Sequence, residues 1–125
     1  MTERAKDYDE ITRVMQLYVD GFNDNSVEKF KEAFHHDAWI YYVDHDGKLT
    51  KNLISESFAR WASPPSWEVV GRIVSVTQVG DVAPVYIVWD GTSLPNQVWH
   101  DLHNLIKVDG VWKITNKTAT HSGRM

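Results

Sequence analysis

Between Val108 and Val111 the chain carries Asp109-Gly110, and no other feature constrains its fold as much. Asp-Gly between alternating apolar residues favours a two-residue hairpin turn, because both central positions adopt positive φ at little cost. A turn of that length sets the register of both strands. Val108 pairs with Val111, Lys107 with Trp112 and Leu105 with Ile114; farther out His103 meets Asn116, Asp101 meets Thr118 and Trp99 meets Thr120. From Lys107 outward these residues share one face, apolar beside the turn and polar beyond it, which suits a pocket floor. The opposite face carries Ile106 with Lys113, Asn104 with Thr115, Leu102 with Lys117 and His100 with Ala119. That face is expected to be part solvated and, with two aliphatics on it, open to an oligomer contact. A one-residue bulge would swap the assignments beyond it.

Similar logic extends to the preceding hairpin. Trp67 to Val79 and Val82 to Trp89 flank Gly80-Asp81, which pairs Gln78 with Ala83, Val76 with Val85, Val74 with Ile87 and Arg72 with Trp89. Residues 91–96 form the loop between the two hairpins. Upstream, Ile11, Val14, Met15, Tyr18, Val19 and Phe22 form the stripe of an amphipathic helix. Asp7 and Glu10 suggest its capping box. Asn23-Asp24-Asn25 breaks that helix, and Ser26 caps a second one with Val27, Phe30, Ala33 and Phe34 on its stripe. The run 38–43 is predicted as a strand closed by the turn at 44–47, where His45 and Asp46 are solvated. A third helix starts at Asn52, carries Ile54, Phe58 and Trp61, and stops at Ser63-Pro64-Pro65. The order is α-α-β-α-β-β-β-β, an α+β design with helices against one face of a mainly antiparallel sheet.

Composition narrows the function classes. A chain of 125 residues fits one domain, 1–125, with its core at about 8–120. Cysteine is absent, which excludes disulfides, thiolate metal sites and cysteine nucleophiles. The net charge of −4 and the lack of a basic stripe argue against a nucleic-acid partner. No apolar run reaches the roughly 18 residues of a membrane span, and the first residues do not resemble a signal peptide, so a cytoplasmic protein is expected. Six Trp, five Tyr and four Phe leave core, pocket and interface as competing uses.

Ala33-Phe34-His35-His36-Asp37-Ala38, with His36 where proline is usual, and the closing run from Leu105 to Lys117 resemble the nuclear transport factor 2-like superfamily. Within it, the chain is most similar to the putative lumazine-binding family, over roughly residues 8–120. The resemblance implies a cone-shaped, strongly curved sheet wrapped around the long N-terminal helix, with a pocket at the open end. It also implies acid–base residues on the concave face in the enzymatic relatives, which include isomerases, cyclases and dehydratases beside non-catalytic binders and adaptors. A shared fold does not transfer a reaction.

Asp101 and His103 alternate on one strand about 6–7 Å apart and project together, as a general acid–base pair requires. A structural His–Asn116 hydrogen bond is the competing use of the same residues. Tyr18, Tyr41, Phe58, Trp61, Trp89, Trp99 and Asn116 are the candidate ligand contacts. Only one of Tyr41 and Tyr42 can face a pocket, because neighbours on a strand point to opposite sides. His35-His36-Asp37 has metal-ligand chemistry, but loop neighbours rarely converge on one ion, so neither metal nor cofactor is expected. The expected partners are a small apolar or aromatic molecule and a second copy docked on the outer sheet face. Metal-free isomerisation, cyclisation or dehydration, a non-catalytic carrier, and an interaction module with a filled cavity all remain open.

Overall fold

Helix α1, Glu3–Asn23, lies against the inner face of a six-stranded sheet in the computed structural model. The structure describes residues 2–44, 46–91, 93 and 97–123. The expectations for His45 and for most of the 91–96 loop therefore lie outside the described residues. After α1 come α2 (Val27–Ala33), β1 (Phe34–Val43), β2 (Leu49–Leu53), a 3-10 turn (Ile54–Ser57), α3 (Phe58–Trp61), β3 (Val69–Val76), β4 (Val82–Gly91), β5 (Gln97–Val108) and β6 (Val111–Gly123). The sheet order is β2-β1-β6-β5-β4-β3; β1 and β6 run parallel and every other pair antiparallel. The sheet is curved and does not close. No described helix is long and apolar enough to cross a membrane.

The helix stripe packs as its spacing predicts: Ile11, Val14, Met15, Tyr18, Val19 and Phe22 are all buried. A Cβ on Gly71 would sit 2.5 Å from Val19 Cγ2, so glycine there lets α1 approach β3 closely. Ser26 caps α2 by accepting from the Lys29 N–H at 3.2 Å. The cap of α1 is Thr2, which accepts from the Ala5 N–H. Asp7, expected in a capping box, sits inside the helix and is buried. It accepts from Trp112 Nε1 at 3.0 Å, Lys107 Nζ at 2.9 Å and Gln78 Nε2 at 2.9 Å. Those donors, Trp112 foremost, hold its carboxyl below the usual range and join α1 to the hairpin-turn end of the sheet.

Three local expectations differ. Strand β2 escapes detection because Leu49–Leu53 is short, polar and at a sheet edge, where one face needs no apolar alternation. Asn52 belongs to that strand, and the third helix shrinks to a 3-10 turn and one helical turn. His35-His36-Asp37 stands in β1 rather than in a loop.

The largest differences are two bulges. The Asp109-Gly110 turn has φ of 51° and 79°, and the register holds from Val108–Val111 to Leu105–Ile114. Then Thr115 is extra: Asn104 pairs with Asn116, His103 with Lys117, Asp101 with Ala119 and Trp99 with His121. Val74 is extra in β3, so Ile73 rather than Val74 opposes Ile87, and Val74 is 55% exposed. Each bulge bends its strand and exchanges its faces from that point on. On β6 the consequence is chemical, since Lys117 turns inward and Asn116 outward.

Candidate functional site

Four elements deliver polar side chains to one point inside the sheet. Tyr18 comes from the core stripe of α1, Trp89 from β4, Asp101 from β5 and Lys117 from β6 beyond its bulge. Tyr18 O–H donates to Asp101 Oδ2 at 2.8 Å, and Trp89 Nε1 donates to the same oxygen at 2.7 Å. His103 Nε2 stands 3.3 Å from it. Lys117 Nζ donates to the Tyr18 oxygen at 2.8 Å and lies 3.7 Å from Asp101 Oδ2. Its ammonium also sits 4.7 Å from the centre of the Trp61 ring, in cation–π range. Asp101, His103 and Lys117 are 1%, 1% and 7% exposed. Ionisable groups this dry persist only when paired and hydrogen-bonded.

Burial opposes ionisation of Asp101, but the Lys117 charge and the hydrogen bonds from His103 and Trp89 outweigh it and hold the carboxyl far below its ordinary range. Burial pushes His103 down, so its imidazole is neutral at pH 7. Burial likewise lowers Lys117 and, with Asp101 beside it, raises the Tyr18 phenol. The arrangement is an ion pair bridged by a phenol, able to organise negative charge on a ligand oxygen.

A cavity of about 580 Å³ opens onto this cluster, a size typical of small-molecule sites. Asp101, Lys117 and Tyr18 form its polar floor, with Trp61, Trp67, Trp89, Trp99 and Phe22 in the wall. Arg60 adds a second cation. Tyr18, Trp61, Trp89, Trp99 and Asp101 are thus candidates that the structure brings together. His103 is behind the floor, against Asp101 and the Tyr18 ring (4.8 Å between centroids), and does not line the cavity. It reaches a ligand only through Asp101.

Three candidates fall elsewhere. Phe58 stacks on Phe30 at 5.5 Å, outside the cavity wall, because one turn of α3 directs it to α2. Tyr41 points to the outer face beside Lys51, leaving Tyr42 as the tyrosine of β1 in the cavity. Asn116 turns away with the bulge, accepts from Asn104 Nδ2 at 3.2 Å and donates to the Trp39 carbonyl at 3.4 Å. Lys117 is the floor residue that sequence reasoning missed, and Arg60, Trp67 and Tyr42 also line the cavity outside the expected set. A bulge at Thr115 leaves no glycine or other mark, and only the unusual density of polar residues from Thr115 to Thr118 hints at it. Among the described residues, His35, His36 and Asp37 bring ligand atoms within 4.8 Å of one another, contrary to the expectation that they would not converge. His36 and Asp37 are exposed, and His35 Nδ1 already accepts the Asp37 N–H at 3.1 Å.

Comparison with known proteins matches residues 6–119 to the family model described as putative lumazine-binding. An NTF2-like protein of unknown function from Shewanella baltica is 29% identical, covers 98% of both chains and superposes with a TM-score of 0.85. Another from Methylobacillus flagellatus is 31% identical over 94% of this chain and 93% of its own, with a TM-score of 0.79. Among curated proteins, Aldolase FrzH of a Cladobotryum species is 25% identical over 114 residues, 90% of each chain.

Proposed function

This chain belongs to the putative lumazine-binding family of NTF2-like proteins, and from that premise we propose that it binds a small, mostly apolar carbonyl compound and moves a proton on it without a metal. The observation that carries the reading is the Tyr18–Asp101–Lys117 cluster at the base of an aromatic cavity. Asp101 is the proton acceptor, ionised at any pH near neutrality. His103 positions it from behind. A carboxylate that holds its charge so firmly is a weak base, so the larger contribution comes from Lys117 and Tyr18, which stabilise negative charge growing on the ligand oxygen. Isomerisation, aldol-type cyclisation and loss of a β-hydroxyl as water can each pass through such an oxyanion when they occur beside a carbonyl. The aldolase name of the Cladobotryum relative also belongs to enolate chemistry, which this site suits.

We also propose a cytoplasmic location and a second copy on the outer sheet face, where Leu102 is 56% exposed and Val70 47%. Benzylacetone, a methyl ketone that carries a phenyl group, tests the chemistry. In deuterated buffer, proton NMR should show wild-type protein accelerating exchange of its α-hydrogens, and Asp101→Asn should lose about 10²–10⁴-fold of that acceleration. Saturable binding with no acceleration would favour the carrier instead; no binding at all would favour the filled cavity.

A further inference from the structure

Resting on the reading that the cavity takes a carbonyl compound, we propose that Lys117 is also an amine nucleophile, which captures the ligand's carbonyl carbon as a protonated imine. Lys117 Nζ stands in the cavity floor and makes one hydrogen bond among the described residues, to the Tyr18 oxygen at 2.8 Å. An ammonium present only to neutralise Asp101 belongs on the carboxylate. Here Asp101 Oδ2 already receives Tyr18, Trp89 and His103, and Lys117 is kept 3.7 Å away. Lys117 lines the cavity, with its ammonium 4.7 Å from the centre of the Trp61 ring.

The surroundings favour a reactive amine. Burial weakens its hold on the proton, the Arg60 charge adds to that effect, and Asp101 opposes it. The hydrogen bonds run unbroken from Lys117 through the Tyr18 hydroxyl to Asp101, and that line can carry the proton. Lys117 gives up one proton to it, and the freed nitrogen pair forms a bond to the carbonyl carbon while the C=O π pair moves to oxygen. The carbinolamine oxygen takes up a proton from Tyr18 and then a second from the nitrogen, relayed through the same line. The C–O bond breaks, water leaves, and the remaining nitrogen pair closes the C=N bond. Summed, ammonium and ketone give iminium and water, with no oxidant or reductant consumed. The positive charge returns on the iminium, so Asp101 has a counter-ion again once the C=N bond has closed. An iminium at this point accepts the electron pair of a breaking α C–H or C–C bond.

Sodium cyanoborohydride with benzylacetone tests the step, because it reduces an imine to a stable secondary amine. Peptide mapping of the wild-type protein should place the adduct on Lys117 rather than on the exposed lysines, and Lys117→Arg should abolish it. The wild-type map decides the question even if that variant does not fold. Absence of an adduct, or modification spread over exposed lysines with Lys117 spared, overturns the inference. If α-hydrogen exchange persists without an adduct, the amine step fails and the proton-transfer reading stands. If both are absent, both fail.

Discussion

Replacing Asp101 with leucine is expected to cost about 3–5 kcal/mol of stability, the usual penalty for removing one partner of a buried ion pair. Leucine keeps the shape but leaves the Lys117 ammonium buried with only the Tyr18 hydroxyl and aromatic faces around it. It also strips the Tyr18 O–H and Trp89 N–H of their shared acceptor. The double variant Asp101→Leu with Lys117→Met should recover much of that loss, since an apolar pair of similar volume no longer carries an uncompensated charge. Urea unfolding of the four proteins of this cycle measures it, with shifted midpoints and little change in slope. A single-variant cost under about 1 kcal/mol, the range of an exposed ion pair, would contradict the buried pair. Asp101→Asn should lower the melting temperature for the same reason.

Acid should destabilise the fold in two stages. His103 titrates lower in the fold than its ordinary 6.5 because burial disfavours the imidazolium. Below pH 6.5 the unfolded chain binds that proton first, and stability falls by about 1.4 kcal/mol per pH unit until the folded imidazole also protonates. Asp101 has a depressed carboxyl, so its contribution is full above the unfolded value of 3.8 and is lost as pH falls below it. A strongly depressed buried carboxylate contributes on the order of 2–3 kcal/mol. Lys117 has the same sign at the other end: with its folded value lowered, stability rises as pH climbs toward 10.5. Unfolding free energies from pH 7 to pH 3 should decline in both windows, and the leucine–methionine double variant should decline less in the lower one, where Asp7 still contributes. A flat profile would mean that neither group is buried as described.

Physical locality decides what the sequence revealed. The α1 stripe and the Asp109-Gly110 turn depend on contacts within a few residues, and both are legible. The alternation of Asp101 and His103 is legible too, because β5 has no bulge between them. Register beyond Thr115 depends on how a curved sheet packs around α1, and no local residue records it. That single insertion exchanged Asn116 for Lys117 and changed the site from a neutral polar floor into an ion pair. The exposed edge strand β2 was invisible for a related reason: residues that pack on little need follow no pattern. Tyr42 rather than Tyr41 faces the cavity because the β1–β6 pairing, a contact between distant segments, decides the side.

An open cavity that receives a small apolar molecule on the Asp101–Lys117 floor carries tryptophans in its wall, and these report directly on occupancy. Benzylacetone titrated into wild-type protein should quench tryptophan fluorescence saturably. Ala119→Trp, which places an indole in the cavity, should abolish the saturable phase while the protein stays folded. A wild-type protein that shows no saturable change, or a variant that titrates like the wild type, would mean that the cavity is not where the molecule binds.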